Sequence, residues 1–285
     1  ADGREVRVQV YYPQDDNLGE GPDGPWHLAD WQDRYAAEFE AAVTDLMRMH
    51  GKKPPRMLAA RFAQIMARGA SQVRARDLAP NSQRHRAAAG DVVVAEQREP
   101  YARYFALEEF DLSFRRFDGT MSPQVTRAAF IASDAVTVLP SDARRDRVLV
   151  VDQFRAGPLA RGDAQPWQIE AIAGRIDAGE SPEQAARREA AEEAGLALTA
   201  LELVARYYPS PGCSAEFLYS YVALTDLPDD AAGVFGVEGE AEDIRGHVIG
   251  FDRLMELVAS GEIGNAPTVL TAFWLAQNRA RLRAT

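Results

Sequence analysis

Cysteine is almost missing from this chain: Cys213 is the only one in 285 residues. A single thiol excludes an intramolecular disulfide and any zinc cluster built on cysteines, and the scarcity points to a reducing cytoplasm. Lysine is nearly as rare. Lys52 and Lys53 stand alone among 32 basic residues, and 43 acidic residues bring the formal net charge to -11. That balance argues against a general nucleic-acid surface, which needs clustered lysine and arginine to meet phosphates. The preference for arginine and alanine reads as genome composition, not function. No apolar run approaches the length that spans a bilayer, and the polar, charged N-terminus lacks the apolar region of a signal peptide. The four histidines, His27, His50, His85 and His247, form no spaced cluster, so each is expected on the surface or in a local hydrogen bond. The chain starts at Ala1 without an initiator Met, directly in what reads as a strand, and is expected to be a fragment of a longer protein.

What is present suffices for a globular core in one large or two small domains. Residues 1–76 form the first segment. Arg4 to Tyr12 alternates apolar and polar residues like a half-buried strand. A turn-rich stretch follows, then a helical stretch from Leu28 to Met49, broken by Gly51, Pro54 and Pro55, and a second from Met57 to Arg76. Residues 77–90 have the composition of a linker, and the main boundary falls there. From residue 91 to 285 short β-rich runs dominate: DVVVAEQ, YFALEEFDLSF, VTRAAFIA, DAVTVLP, RVLVVDQF, WQIEAIAG, LELVARYY, FLYSYVALT and IRGHVIGF. A single helix interrupts them, and two more, near Asp252 to Ala259 and Ala266 to Arg283, close the chain. This order predicts an α+β fold, an α/β/α sandwich with a mixed sheet, preceded by a small strand-plus-helices segment.

The interrupting helix is the most specific feature. Ser181, Pro182 and Gln184 read as an N-cap, a first-turn proline and a capping-box partner, and Gly195 as the C-terminal stop. On that helix Glu189, Glu192 and Glu193 stand at i, i+3 and i+4, which stacks three carboxylates on one face. Like charges so spaced destabilise an isolated helix by roughly 0.2–0.5 kcal/mol per pair. Water offsets that cost on a solvated face. A hard divalent cation does so more effectively, because Mg2+ prefers carboxylate oxygen and keeps places for water and phosphate. Arg188 is expected to brace Glu180 or a neighbouring carboxylate, and Glu180 to be structural.

From Gly174 to Leu196 the chain fits G-x5-E-x7-R-E-U-x-E-E-x-G-U, with U apolar, at every specified position: Gly174, Glu180, Arg188, Glu189, Ala190, Glu192, Glu193, Gly195 and Leu196. This is the Nudix box, the signature of enzymes that hydrolyse a nucleoside diphosphate linked to another group. The likeness extends further. RRFDGTMSPQVTRAAF, VLVVDQFRAG, PWQIEAIAGRIDAGES, YYPSPGCSAEF, EGEAEDIRGHV and GEIGNAPTVLTAFWL resemble bacterial ADP-ribose pyrophosphatases, and a proline some fifteen residues past the box, here Pro211, is typical of that subgroup. Within it the chain most resembles the tellurite-resistance-associated subfamily, in which such a domain follows a γ-glutamylcyclotransferase-like domain. Residues 1–76 resemble the tail of that preceding domain. Its signature turn and catalytic acid are absent, so the segment is expected to serve packing or dimer support.

The resemblance implies Mg2+-dependent hydrolysis of ADP-ribose to AMP and ribose 5-phosphate, with Mn2+ as a possible substitute. Another nucleoside diphosphate sugar, UDP- or GDP-linked, is the alternative substrate; a sensor of the same fold without hydrolysis is the alternative class. Glu189, Glu193 and the carbonyl of Ala173 become metal ligands, with Glu192 a ligand or just behind one. A glycine-rich loop holding Glu238, Glu240, Glu242 and Asp243 reads by composition as acidic and solvated. Resemblance aligns its Glu240 with the general base and Glu242 with a further metal ligand. Arg127 and Arg155 match arginines that bind the nucleotide end or its phosphates, and Tyr104 falls where the family stacks an aromatic on adenine. Ser210, Pro211, Gly212 and Glu216 match a loop lining the terminal ribose and the active-site water. Tyr104 and Arg127 would reach the neighbouring subunit's site, which implies a homodimer. Cys213 is taken as packing.

Overall fold

The computed structural model describes residues 28–77, 82–229, 231–235 and 243–284. The strand expected at Arg4 to Tyr12 lies outside them. Helix α1 (Leu28–Met49) stops before Gly51, which takes a φ of +74°. The next helical stretch is cut once: Arg61, at φ -111° and ψ 13°, separates α2 (Pro55–Ala60) from α3 (Phe62–Arg74). Helices α1 and α3 cross closely because Gly69 carries no side chain. A Cβ there would lie 2.5 Å from the Glu38 carbonyl oxygen and 2.9 Å from the Ala42 nitrogen.

Strands β1 (Val92–Ala102), β2 (Ala106–Phe114) and β3 (Val125–Ile131) form an antiparallel three-stranded sheet. The helix pair docks on it through charge. Arg68 pairs with Asp45 at 2.9 Å and with Glu108 at 2.5 Å, and both carboxylates are buried. Buried carboxylates require such partners, since desolvation of an unpaired one costs several kcal/mol, on the order of the stability of the fold.

The main sheet contains β4 (Ala135–Asp142), β5 (Arg147–Phe154), β6 (Trp167–Glu170), β7 (Ile172–Arg175), β8 (Ala200–Tyr207), β9 (Leu218–Leu224), β10 (Val234–Phe235) and β11 (Ile244–Gly250). Its order is β10-β11-β5-β4-β9-β8, with β6 on β5 and β7 on β4. Strands β4 and β9 run parallel and every other named pair is antiparallel, so the sheet is mixed. The family of runs expected from residue 91 onward is present, with one change. WQIEAIAG is two strands, because β4 and β5 meet only at Ser141–Asp142 and then diverge. Strand β6 follows β5, the chain steps across at Ala171, and β7 follows β4. Pro140 sits where β4 changes partners from β7 to β5, a place where its missing N–H breaks no ladder bond on that side. The Ala171 N–H freed by the step donates to Thr268 Oγ1 at 2.9 Å.

Helices cover both faces. On one side α5 (Pro182–Ala194) packs Ala185, Ala186, Ala190 and Ala194 against Val136, Val138, Ile172 and Tyr221. On the other, α6 (Phe251–Ser260) and α7 (Ala266–Arg283) bring Phe251, Leu254, Leu257, Leu275 and Leu282 against Leu139, Val148 and Val150. Each fully buried Leu or Ile contributes about 1.5–3 kcal/mol, so this core holds the sheet that carries the site. Helix α4 (Ala156–Arg161), a single short turn after β5, and the two-residue β10 were not foreseen.

Candidate active site

The site is built on the step from β7 to α5. The helix starts as its cap residues dictate. Ser181 Oγ accepts from the Gln184 N–H at 3.2 Å, and Gln184 Oε1 accepts from the Ser181 N–H at 2.8 Å. Pro182 fills the first turn, and Gly195 ends the helix at φ +61°. Between those ends, four alanines face the sheet and bring the helix axis near β7. The closeness is measurable at Gly174, where a Cβ would lie 1.8 Å from Glu189 Oε1. Glycine at that strand position therefore leaves the space the Glu189 carboxylate occupies. One turn on, Glu193 Oε2 accepts from the Ala173 N–H at 3.3 Å. Both carboxylates are largely enclosed, with Glu189 9% and Glu193 3% exposed.

Arg188 organises the acidic face. Its Nε and Nη2 donate to the two Glu180 oxygens at 2.8 and 3.0 Å, a bidentate pairing. Nη2 also reaches the Arg175 carbonyl at 2.9 Å, and Nη1 reaches Glu189 at 2.7 Å and Glu192 at 3.0 Å. Burial raises the Glu180 carboxyl, but Arg188 and the Asp177 N–H outweigh it and hold the group below the usual glutamate range. The Arg188 guanidinium is raised in turn, first through its bond to Glu180. Repulsion along this face is thus answered at Glu189 and Glu192 by one fixed cation. Glu192, the most exposed of the three, faces the open side.

The expected substrate residues lie on several elements. Arg155, just past β5, donates from Nε to Glu170 at 2.6 Å. Glu216 is half-buried; burial lifts its carboxyl above the usual range, and the Arg155 charge opposes that lift. Ser210 to Gly212 form an exposed turn, with Ser210 Oγ 3.3 Å from Cys213 Sγ. The turn is tied to β3 by the Phe130 N–H donating to Cys213 O at 2.7 Å and the Ala215 N–H to Phe130 O at 2.9 Å. Tyr104 lies under a cation of its own chain, with the Arg175 guanidinium carbon 4.6 Å from its ring centre. Arg127 is exposed on β3, where Nη1 donates to the Thr126 carbonyl at 3.1 Å. Glu238, Glu240 and Glu242 lie outside the described residues. The structure adds Glu170 and Arg175, to which sequence reading gave no role. Both stand within the quoted PWQIEAIAGRIDAGES stretch, but only the step at Ala171 shows which side chains they meet.

A glycine-bearing strand forked off a mixed sheet, followed by a capped helix with enclosed glutamates, defines the class: a hydrolase fold of the Nudix type. Residues 132–269 match the family model described as NUDIX domain. The chain is 35% identical over 193 residues to the ADP-ribose pyrophosphatase of Escherichia coli K12, covering 68% of this chain and 91% of that relative. The ADP-ribose pyrophosphatase of Haemophilus influenzae is 31% identical over 195 residues, with 68% and 89% covered. The GDP-mannose pyrophosphatase of Escherichia coli O139:H28 is 29% identical over 172 residues, with 60% and 88% covered. A crystal structure of ADP compounds hydrolase superposes at a TM-score of 0.54 and 19% identity over 70% of this chain and all of that one, a likeness of fold. The chain belongs to the Nudix family and is a Nudix hydrolase. Among the described residues no helix is long and apolar enough to cross a membrane.

Nudix hydrolases generally need divalent metal ions. Among the described residues no three His, Cys, Asp or Glu side chains are gathered into a metal cage. The residues of the box nonetheless fit such an ion. Glu189 and Glu193 supply enclosed anionic oxygens one helical turn apart, and Gly174 lets the Glu189 carboxylate lie directly against the strand, in the space a Cβ would fill. Those are the donors a hard divalent cation takes, and none is a soft sulfur.

Proposed function

We propose that the chain hydrolyses the diphosphate of ADP-ribose to AMP and ribose 5-phosphate, with Mg2+ as the working ion and Mn2+ as a substitute. The observation that carries this reading is the close seating of α5 on β7, which sets Glu189 and Glu193 against the Ala173–Gly174 backbone. The names of the relatives at 35% and 31% identity supply the substrate. Glu189, Glu193 and the Ala173 carbonyl would hold the ion, with Glu192 and Glu242 completing its surroundings. When bound, a divalent ion neutralises charge that builds on the diphosphate oxygens and lowers the pKa of the attacking water.

The protein's own groups do the remaining work. Glu240 takes the proton from the attacking water. Arg155, held by Glu170, offers the rest of its planar donor fork to phosphate. Glu216, its carboxyl lifted by burial, lines the ribose end with Ser210, Pro211 and Gly212. Tyr104 and Arg127 serve the adenine end across a homodimer. Residues 1–76 form the tail of a γ-glutamylcyclotransferase-like domain, with residues 77–90 as linker and 91–285 as the hydrolase domain.

A GDP-sugar is the second reading, favoured by the relative at 29% identity. Hydrolysis in 18O-labelled water tests both: the expected products of ADP-ribose are AMP and ribose 5-phosphate, one of them labelled. Comparing kcat/KM for ADP-ribose, GDP-mannose and UDP-glucose completes the test, and a clear preference for either of the last two overturns the substrate named here.

A further inference from the structure

We propose that α1 is a positioning element of this active site, with Glu38 holding the loop that carries the arginine-bracing Glu180. The inference rests on the reading of Glu189 as a metal ligand. It starts at Gly179, whose N–H donates to Glu38 Oε2 at 2.7 Å and whose carbonyl accepts from Arg34 Nε at 3.1 Å. The Tyr35 ring closes the third side: a Cβ on Gly179 would lie 2.2 Å from Tyr35 Cε1. Gly179 also takes a φ of +76°, which L side chains rarely adopt. Three residues of one helix, Arg34, Tyr35 and Glu38, thus close on a single glycine.

The grip is passed on through covalent and hydrogen bonds. Glu180 follows Gly179 directly and accepts from Arg188 Nε and Nη2, and Arg188 Nη1 donates to Glu189 at 2.7 Å. The other end of the loop is held as well. Asp134 N–H donates to Ser71 Oγ of α3 at 2.8 Å, Arg74 Nε donates to Asp134 Oδ2 at 2.7 Å, and the Asp134 carbonyl accepts from the Ile176 N–H at 3.0 Å. Helices α1 and α3 therefore tie down both ends of the segment from Ile176 to Gly179. Both helices lie before residue 132, where the family match begins. Glu38 has been drawn partly out of water to make its bond: burial raises its carboxyl, against the Gly179 N–H and the charges of Arg74 and Arg34. A side chain whose only service was solubility would stay solvated.

The test uses the full chain with Glu38→Ala and Glu38→Gln. Mn2+ binding is measured by electron paramagnetic resonance without substrate, alongside kcat and KM for ADP-ribose. Removing a direct partner of a metal ligand typically costs about 10- to 100-fold; Glu38 acts further out, through Glu180 and Arg188, so E38A should weaken Mn2+ binding and lower kcat by roughly three- to tenfold each. KM should stay within about twofold, because substrate groups are untouched. In E38Q the amide oxygen still accepts the Gly179 N–H, so most of both losses should be recovered. If E38A fails to fold, R34A removes the bond to the Gly179 carbonyl and should move Mn2+ binding in the same direction. Unchanged Mn2+ affinity per folded molecule overturns the proposal, even if the melting temperature falls. A wild type that binds Mn2+ but hydrolyses no diphosphate sinks the proposed function, and the Mn2+ comparison still decides the role of Glu38.

Discussion

The two faces of the central sheet are filled by different kinds of side chain. Against α5 the contact is made by Ala185, Ala186, Ala190 and Ala194; against α6 and α7 it is made by Phe251, Leu254, Leu257, Leu275 and Leu282. Separation between packed elements follows the size of the side chains at the contact. Small residues give up apolar burial and gain approach, and the approach is what sets Glu189 against Gly174 and Glu193 against Ala173. Large residues do the reverse. One face positions chemistry and the other supplies stability, and substitutions should separate the two.

The sharpest separation should come from Glu193→Gln. It keeps the volume and the bond from the Ala173 N–H but removes the anionic oxygen offered to the ion. Turnover of ADP-ribose should fall by roughly a hundredfold or more, since metal charge stabilisation is worth several kcal/mol. The melting temperature should barely change. An E193Q variant that keeps most of its kcat would break the assignment of this face to chemistry.

The mirror-image result is expected from Leu254→Ala on the other face. Leu254 is fully buried, and truncating such a residue costs about 2–5 kcal/mol through lost transfer energy and the cavity left behind. Urea denaturation should show that loss, while kcat of the folded protein stays the same. A large change in kcat at temperatures where L254A is folded would mean that the two faces are not separable.

Gly174→Ala probes the narrow gap itself. The new Cβ would fall 1.8 Å from Glu189 Oε1, the far end of a side chain that can swing away. Stability should therefore fall by no more than about 1 kcal/mol, and turnover by roughly 10- to 100-fold as Glu189 leaves its position. Metal titration of the rate would locate the defect. A normal metal dependence in G174A would show that the close approach is incidental.

How much of this was legible in the sequence varies with the range of the interactions. The limits of α5 followed from Ser181, Gln184 and Gly195, because a cap is a contact between residues three or four apart. Arg188 bracing Glu180 was equally readable, from its fixed spacing in the box. The chain step at Ala171 was not, since it depends on where β4 and β5 diverge, a fact about three strands together. Pro140 was the available signal, a proline inside an otherwise apolar strand. Arg61, between α2 and α3, carries no breaker residue, so that break had no local sign. The grip of Glu38 on Gly179 joins residues 141 apart, and no periodicity in either segment announces it.

The smallest effect, and the one that tests the stability face by charge instead of volume, concerns Asp146. It sits in the turn from β4 to β5 at φ +57°, and its carboxylate receives Arg279 Nε at 2.9 Å and Arg283 Nη1 at 2.7 Å, both from α7. The bond to Arg279 is the main reason its carboxyl lies below the usual aspartate range, with burial opposing. A depressed acid contributes stability above its unfolded pKa and loses it as pH falls through the folded value. Partly exposed ion pairs contribute little, so Asp146→Asn should cost about 1 kcal/mol or less near neutrality. Asparagine tolerates the left-handed backbone, which leaves charge as the main change. Denaturation midpoints of the two proteins should therefore differ near neutrality and converge as the pH falls below the usual aspartate range and the wild-type carboxyl takes up its proton. A difference that persists unchanged at the acid end would assign Asp146 a role in the turn, not in pinning α7. In either case kcat at neutral pH should be untouched, because Asp146 acts on the face that carries no chemistry.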